Sequence, residues 1–350
     1  MPDAGVRHPL IELCLVRLRD FLRQSEALFW VFGFPVLLTL ALGIAFRNAG
    51  PEKIVVAVEE SGPSALRAAE VLRRSPEMKV SVLSSAEAER QLRIGKATLL
   101  LQASNEGSYT YRFDPTRPES RVARLAVDEA LQRAKGRRDV VPTSDQKITE
   151  PGARYVDYLL PGLLGMNMMG SGMWGLGFAL VDMRMKRLLK RLTATPMRRS
   201  HFLLSFMLSR LVFLFLELAI VVGFASLTFG VKVRGSVFDL SVVAVVGGFA
   251  FSAIGLLVAA RPTTLEGVSG WMNLVMLPMW LLSGTFFSYS RFPDFAQPLI
   301  KILPLTALND ALRSVISEGA GLAANGMELG ILAGWCLVCF ALAVRMFRWQ

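Results

Sequence analysis

The sequence predicts an α-helical membrane protein with six transmembrane helices and an α/β domain inserted between the first and the second. Three observations predict it. Six windows of about twenty residues are almost free of charge, and a helix of that length, rising roughly 1.5 Å per residue, crosses a hydrocarbon core of about 30 Å. Residues 47–154 instead alternate strand-like and helix-like signals. The basic residues of the short loops gather on one side of the apolar windows, as orientation in a bilayer requires.

The elements follow in order. Residues 1–26 predict a cytoplasmic amphipathic helix at the membrane interface. Ile11, Cys14, Leu15, Leu18, Phe21 and Leu22 share one face, while Glu12, Arg17, Arg19, Asp20 and Arg23 occupy the others. The alternative is a helix packed on a soluble domain, but the segment runs straight into the first span, "ALFWVFGFPVLLTLALGIAF" at 27–46. Its charged lead and the later spans read as a retained anchor, not a cleaved signal peptide.

In 47–154, "KIVVAVEE", "MKVSVLS", "KATLLLQ" and "YTYRF" read as strands, and "SALRAAEVLRRS", "SAEAERQLRIG" and a polar stretch near 118–136 read as helices. This βαβ-like rhythm predicts a small α/β domain, long enough for a modest core. No G-x-G-x-x-G follows any of these strands. Gly95-Lys96-Ala97-Thr98 lacks the upstream glycine and the adjacent Ser/Thr of a phosphate loop, so no nucleotide site is expected.

The remaining spans fall at 155–181, 203–225, 239–260, 268–288 and 327–345, with a cytoplasmic loop at 182–202. The stretch 289–326 is apolar but interrupted by Pro293, Pro298 and Pro304. It reads either as short re-entrant helices in the outer membrane face, with their backbone covered by protein, or as a plain extracytoplasmic loop. Fourteen Lys and Arg lie on the side of the N-terminal lead, the 182–202 loop, Arg261 and the C-terminus, against five in the opposite short loops. Both termini are therefore predicted to be cytoplasmic and the α/β domain extracytoplasmic, since large domains translocate largely regardless of charge.

Composition also excludes. The formal net charge of +11 comes from residues that flank apolar windows, which points to membrane lipid and to no nucleic acid. The cysteines are Cys14, Cys336 and Cys339; the last two form a C-x-x-C inside an apolar stretch, where packing is the expected role. His8 and His201 have no ligand-spaced partner, so no metal site is expected. There is no G-x-S-x-G and no defensible acid–base pair of carboxylates, so no catalytic residue is assigned.

The one intramembrane carboxylate is Glu217, in "SRLVFLFLELAIVV". A charge at mid-membrane costs on the order of 3 kcal/mol on insertion scales. Glu217 therefore either lines a transport path or is neutralised or bonded between helices. Arg210 lies two turns earlier on the same face, and no direct contact is expected. Met166, Met168, Met169 and Met173 offer an adaptable apolar lining or, more plainly, lipid-facing and core packing. Met168, Met173 and Trp174 join Glu217 as transport-path candidates. Ser171 with Gly175, and Gly248 with Ser252, are small-residue pairs that let helices approach.

Taken together, nearly the whole chain resembles the permease subunits of ABC-2 type transporters. Two blocks carry the resemblance. "KRLLKRLTATPMRRSHFLLSFMLSR" is similar to the family's cytoplasmic coupling helix, with a Leu-x-x-Thr-Pro core at Leu192 to Pro196. "GVSGWMNLVMLPMWLLSGTFF" and the following "LPLTALNDALR" are similar to the fifth span, with Pro278 and Ser283-Gly284, and to the re-entrant external segment. Where many members carry acidic residues and a Gly-Thr before the coupling helix, this chain reads Asp182-Met183-Arg184-Met185-Lys186.

The resemblance implies a permease homodimer in the bacterial cytoplasmic (inner) membrane, bound to two copies of an ABC-type ATP-binding subunit that carry the ATP and Mg. This chain has no Walker loop, is not itself an enzyme, and would bind no cofactor. Leu189, Leu192 and Met197 become apolar anchors in a groove on that subunit, with Thr193, Thr195 and Arg198 beside them and Pro196 ending the helix. Pro278 becomes a further path candidate. The expected cargo is hydrophobic or amphipathic, a drug or lipid-like molecule moved outward. The competing readings are a membrane sensor with a ligand-binding external domain, and a membrane transferase acting on lipid or glycan.

Overall fold

The computed structural model describes residues 25–47, 53–104, 108–138, 155–189, 199–286 and 288–347, with single positions at 19, 22, 23, 141 and 144. Most of the stretch 1–26, where an interfacial helix is expected, therefore lies outside the described residues. The chain divides into two units, Asn48–Lys147 and the remainder.

The smaller unit combines a sheet with three helices. Strands β1 (Ile54–Glu59), β2 (Met78–Leu83), β3 (Leu99–Ala103) and β4 (Tyr109–Arg112) form one sheet in the order β2-β1-β3-β4. β1 pairs in parallel with β2 (Ile54 opposite Met78) and with β3 (Val56 opposite Leu99), while β4 runs antiparallel to β3 (Leu101 opposite Tyr111). Strand side chains alternate between faces. Val56, Val58, Leu99 and Leu101 pack with Ala65, Ala68, Ala69 and Leu72 of α1 (Pro63–Arg73) and Val127 and Leu131 of α2 (Pro118–Ala134). Ala57 and Leu100 face Ala88 of α3 (Ser85–Arg93), which precedes β3 in the chain. An open pocket of about 280 Å³ lies in this unit, between Leu92, Phe113 and Arg117.

The larger unit is helical. A helical run begins at Ser25–Leu28, passes through a π-helical segment, Phe29–Gly33, and continues as α4 (Phe34–Arg47). The long helices are α5 (Tyr155–Met185), α6 (Arg199–Phe229), α7 (Val237–Val258), α8 (Leu265–Leu282) and α9 (Gly326–Met346). Among the described residues, 201–229, 237–258 and 322–346 combine the length and apolarity needed to cross a membrane; the apolar helix 29–44 is shorter. Glycines and Asn167 dilute α5, and Glu266 and Asn273 dilute α8.

Small residues bring α5 and α7 together. A Cβ on Gly255 would lie 2.8 Å from the Met173 Cα, and one on Gly172 would lie 3.1 Å from the Phe251 Cβ. Gly248 and Ser252 are both buried on α7, whereas Gly175 faces open space. Of the two expected small-residue pairs, only the second therefore lies wholly inside the bundle. Cys339 is buried on α9.

The end of α8 differs from the sequence expectation, and 289–326 carries short helices, as one of its two readings expected. The span expected at 268–288 is a helix only to Leu282, because Ser283 caps it and Gly284 turns with φ of 73°. The stretch 289–326 is not a plain loop. It contains α10 (Gln297–Ile302) and α11 (Pro304–Arg313), and eight of the ten α11 residues are buried. Pro298 and Pro304 sit in the first turns of these helices, where a missing N–H costs nothing, so they start helices as well as interrupt the apolar run.

Asn309 holds α11 against the end of α8. Its Nδ2 donates to Thr285 Oγ1 at 3.0 Å and to the Ser283 carbonyl at 3.3 Å. Tyr158 Oη donates to the Gly284 carbonyl at 2.9 Å, and Arg313 Nη2 donates to the same oxygen at 3.2 Å.

Candidate functional site

The strongest concentration of polar chemistry in the helical unit is a buried cluster built by three segments. α6 supplies Arg210 and Glu217, α5 supplies Asn167 and Ser171, and the π-helical segment supplies the Val31 carbonyl. Arg210 and Glu217 are 6% and 1% exposed.

Their contact corrects the expectation drawn from spacing. Arg210 Nη2 meets Glu217 Oε2 at 2.7 Å although seven residues of helix, roughly 10 Å of rise, separate the two. Helical side chains lean toward the N-terminus, so Glu217 tilts back along the face while the long arginine reaches forward. In a medium of low dielectric neither charge is tolerable alone, and this drives the long reach.

The carboxylate has further donors. Asn167 Nδ2 donates to Oε1, and Ser171 Oγ lies 3.2 Å from Oε2. Asn167 and Ser171 are four residues apart, which sets both on one face of α5. The Ser171 hydroxyl also lies 2.7 Å from the Asn167 carbonyl, and it accepts from Arg210 Nη2. Asn167 Nδ2 reaches the Val31 carbonyl at 3.3 Å. That carbonyl belongs to the π turn, where the Phe34 N–H returns to Phe29, five residues back; such bulges release backbone groups from the α ladder. Among the described residues Arg210 Nη1 has no acceptor.

The other candidates are spread over α5, α8 and the segment that follows α5. Met168 and Met173 are buried in the helical core together with Met169. Trp174 is half-buried, its ring 4.8 Å from that of Phe178. Pro278 is exposed on α8, whose Met276 and Met279 are buried. Leu189 is buried in the core, whereas Leu192, Thr193, Thr195, Pro196, Met197 and Arg198 lie outside the described residues. Sequence reasoning missed Asn167 and the partnership of Ser171. A polar residue four positions before a serine, inside a span facing Glu217, was the signal available.

Against this geometry the family relations can be stated. Residues 26–345 match the model of the family described as ABC-2 family transporter protein. The chain belongs to that family. It is the membrane component of an ABC-2 transporter and an integral membrane protein.

Similar proteins include nodulation protein J of Rhizobium meliloti (strain 1021), 31% identical over 101 residues, which are 29% of this chain and 38% of that protein. ABC transporter G family member 20 of Dictyostelium discoideum is 23% identical over 197 residues, 55% of this chain and 27% of that protein. Nodulation protein J of Sinorhizobium fredii (strain NBRC 101917 / NGR234) is 29% identical over 113 residues, 32% of this chain and 42% of that protein. The ABC-2 chain thus spans less than half the length of each of these relatives.

In an ABC-2 membrane component, the Arg210–Glu217 cluster is a pin between α5, α6 and the first helical run. It holds three segments in one arrangement, and one guanidinium nitrogen has no acceptor among the described residues, which is the kind of polar contact that a second helix arrangement can redistribute.

Proposed function

We propose that this chain is the membrane-spanning subunit of an ATP-driven exporter of a hydrophobic or amphipathic compound, drug or lipid-like. ATP and Mg are held by two copies of a separate ATP-binding subunit, and two copies of this chain pair as a homodimer in the bacterial inner membrane. Six helices span: the run from Ser25 to Arg47, then α5 to α9. The α/β unit lies outside, both termini lie in the cytoplasm, and 289–326 re-enters the outer face.

The observation that carries this reading is the family match from 26 to 345. It is supported by an apolar helical bundle in which the buried Arg210 and Glu217 pair with one another, and by the basic run from Arg184 to Arg199, which fits cytoplasmic docking. The buried methionines of α5 favour an apolar cargo, because a flexible thioether accommodates varied shapes. ATP-driven closure of the partner subunits pulls the 182–202 loop and biases the bundle between two packings.

Site-specific photo-crosslinking from Leu192 and Met197 in native membranes tests it. Capture of a cytosolic protein bearing a phosphate-binding loop is expected. Capture of lipid alone would return this stretch to an orientation signal. Function would then have to be sought in the α/β unit, as the alternative of a membrane sensor requires.

A further inference from the structure

Arg184 lies in the last turn of α5, and the sequence counts it as one more orienting charge of the 182–202 loop. The structure places it differently. It is 7% exposed, and its guanidinium fork closes on the far end of another helix. Nη1 donates to the Ala259 carbonyl at 3.0 Å and also to the Pro262 carbonyl, and Nη2 donates to the Ala260 carbonyl at 3.0 Å. These oxygens sit at and just beyond the C-terminus of α7, where the last carbonyls have no helical partner and carry the negative end of the dipole.

The same end of the bundle is gathered around this contact. The Arg184 guanidinium lies 5.7 Å from the centroid of the Phe347 ring, and that ring packs at 6.1 Å on Phe202, near the start of α6. Three residues after Arg184 the chain turns at Arg187, whose φ of 56° is the one left-handed non-glycine value among the described residues. Leu189 then returns into the core. The chain leading into residues 190–198 is thus fastened on both sides of a tight turn, and one fastening grips α7.

We propose that Arg184 is a positioning residue that ties the entrance of the basic loop to the end of α7, so that a pull on the loop moves that helix. The proposal rests on the reading of the loop as the ATPase docking element. A planar fork that bonds three carbonyls transmits displacement because its geometry is fixed. A lysine at this place would keep the charge but not the geometry. Surface charges that only orient the chain need no such burial.

The test uses the full chain with its native cysteines replaced, co-purified with its ATP-binding subunit and placed in lipid nanodiscs. Nitroxides at Lys186→Cys and Arg261→Cys, both exposed positions on the two sides of the clamp, report their separation by dipolar broadening. With Arg184 present, the broadening is expected to persist when ATP and vanadate are added. With Arg184→Gln, it should match wild type at rest and fall by at least half with ATP and vanadate, while ATP hydrolysis continues. Arg184→Lys should give an intermediate loss and guards against a glutamine variant that fails to fold. Unchanged broadening in both variants after ATP and vanadate would overturn the clamp and leave Arg184 as a static helix cap. If no ATP-binding subunit co-purifies with the wild-type chain, the docking reading itself falls, and the clamp falls with it.

Discussion

Arg210 and Glu217 stand two helical turns apart on α6 and meet at 2.7 Å, with Asn167 and Ser171 of α5 closing around the carboxylate. The pair makes the bundle interior polar at one point and leaves the surrounding helices free to be apolar. Removing either partner strands a buried charge, which costs on the order of 3–5 kcal/mol. Glu217→Leu or Arg210→Met alone should therefore lower thermal stability in detergent sharply, while the double variant should regain most of the loss. Export separates structure from function. A stable double variant that exports normally would remove Glu217 from the transport path, and one that folds without exporting would keep it there.

Helix contact at Gly255 offers a sharper packing test. A Cβ there would lie 2.8 Å from the Met173 Cα and 3.1 Å from the Met173 carbonyl oxygen, and backbone cannot move aside alone. Gly255→Ala should destabilise by about 1–3 kcal/mol, the range for overpacking. Gly175→Ala on α5 meets nothing within 4 Å and should be neutral or slightly stabilising, since alanine is the better helix former. Thermal aggregation of the two purified variants, side by side, checks the contrast.

Asn309 carries the attachment of α11 to the end of α8. Asn309→Ala leaves the Ser283 carbonyl without this side-chain donor and the buried Thr285 hydroxyl with Ser283 alone, a loss of about 1–3 kcal/mol. Proteolysis near Gly284 should accelerate in this variant and not in Ser288→Ala, which alters exposed bonds only.

In the α/β unit, Tyr111 Oη donates to Asp128 Oδ1 at 2.9 Å, and burial first, then this carboxylate, raises the phenol above its ordinary value near 10. A raised value means the folded unit keeps a proton that the unfolded chain releases above about pH 10. The bond's contribution should be complete below that pH and decline as pH rises beyond it. Amide exchange of β4 should accelerate above pH 10 in wild type. In Tyr111→Phe it should show a flatter pH dependence and faster exchange at neutral pH. Equal slopes in the two proteins would disprove the linkage.

Much of the architecture was legible beforehand, for a local reason. Apolar windows of membrane length, period-two strands and period-3.6 helices are written in neighbouring residues, so the helical runs, the four strands and the alternation of the α/β unit could be placed within a few positions. The end of α8 could not, because "SGTFF" stays apolar while Ser283 and Gly284 stop the helix through backbone conformation. Nor could the choice between the two readings of 289–326, since three prolines read as interruption and packing shows that two of them begin helices.

The sequence by itself determined which segments are apolar, where the charges lie, and to which family the blocks at Leu192–Pro196 and 267–287 are similar. The tertiary structure alone decided that Glu217 is held by Arg210, Asn167 and Ser171, and that Arg184 grips the end of α7. Both are meetings of long side chains with groups on other helices or distant turns. Their geometry depends on how each helix is rotated against its neighbours, and the demand that no buried charge be left alone selects it from the many that the local pattern allows.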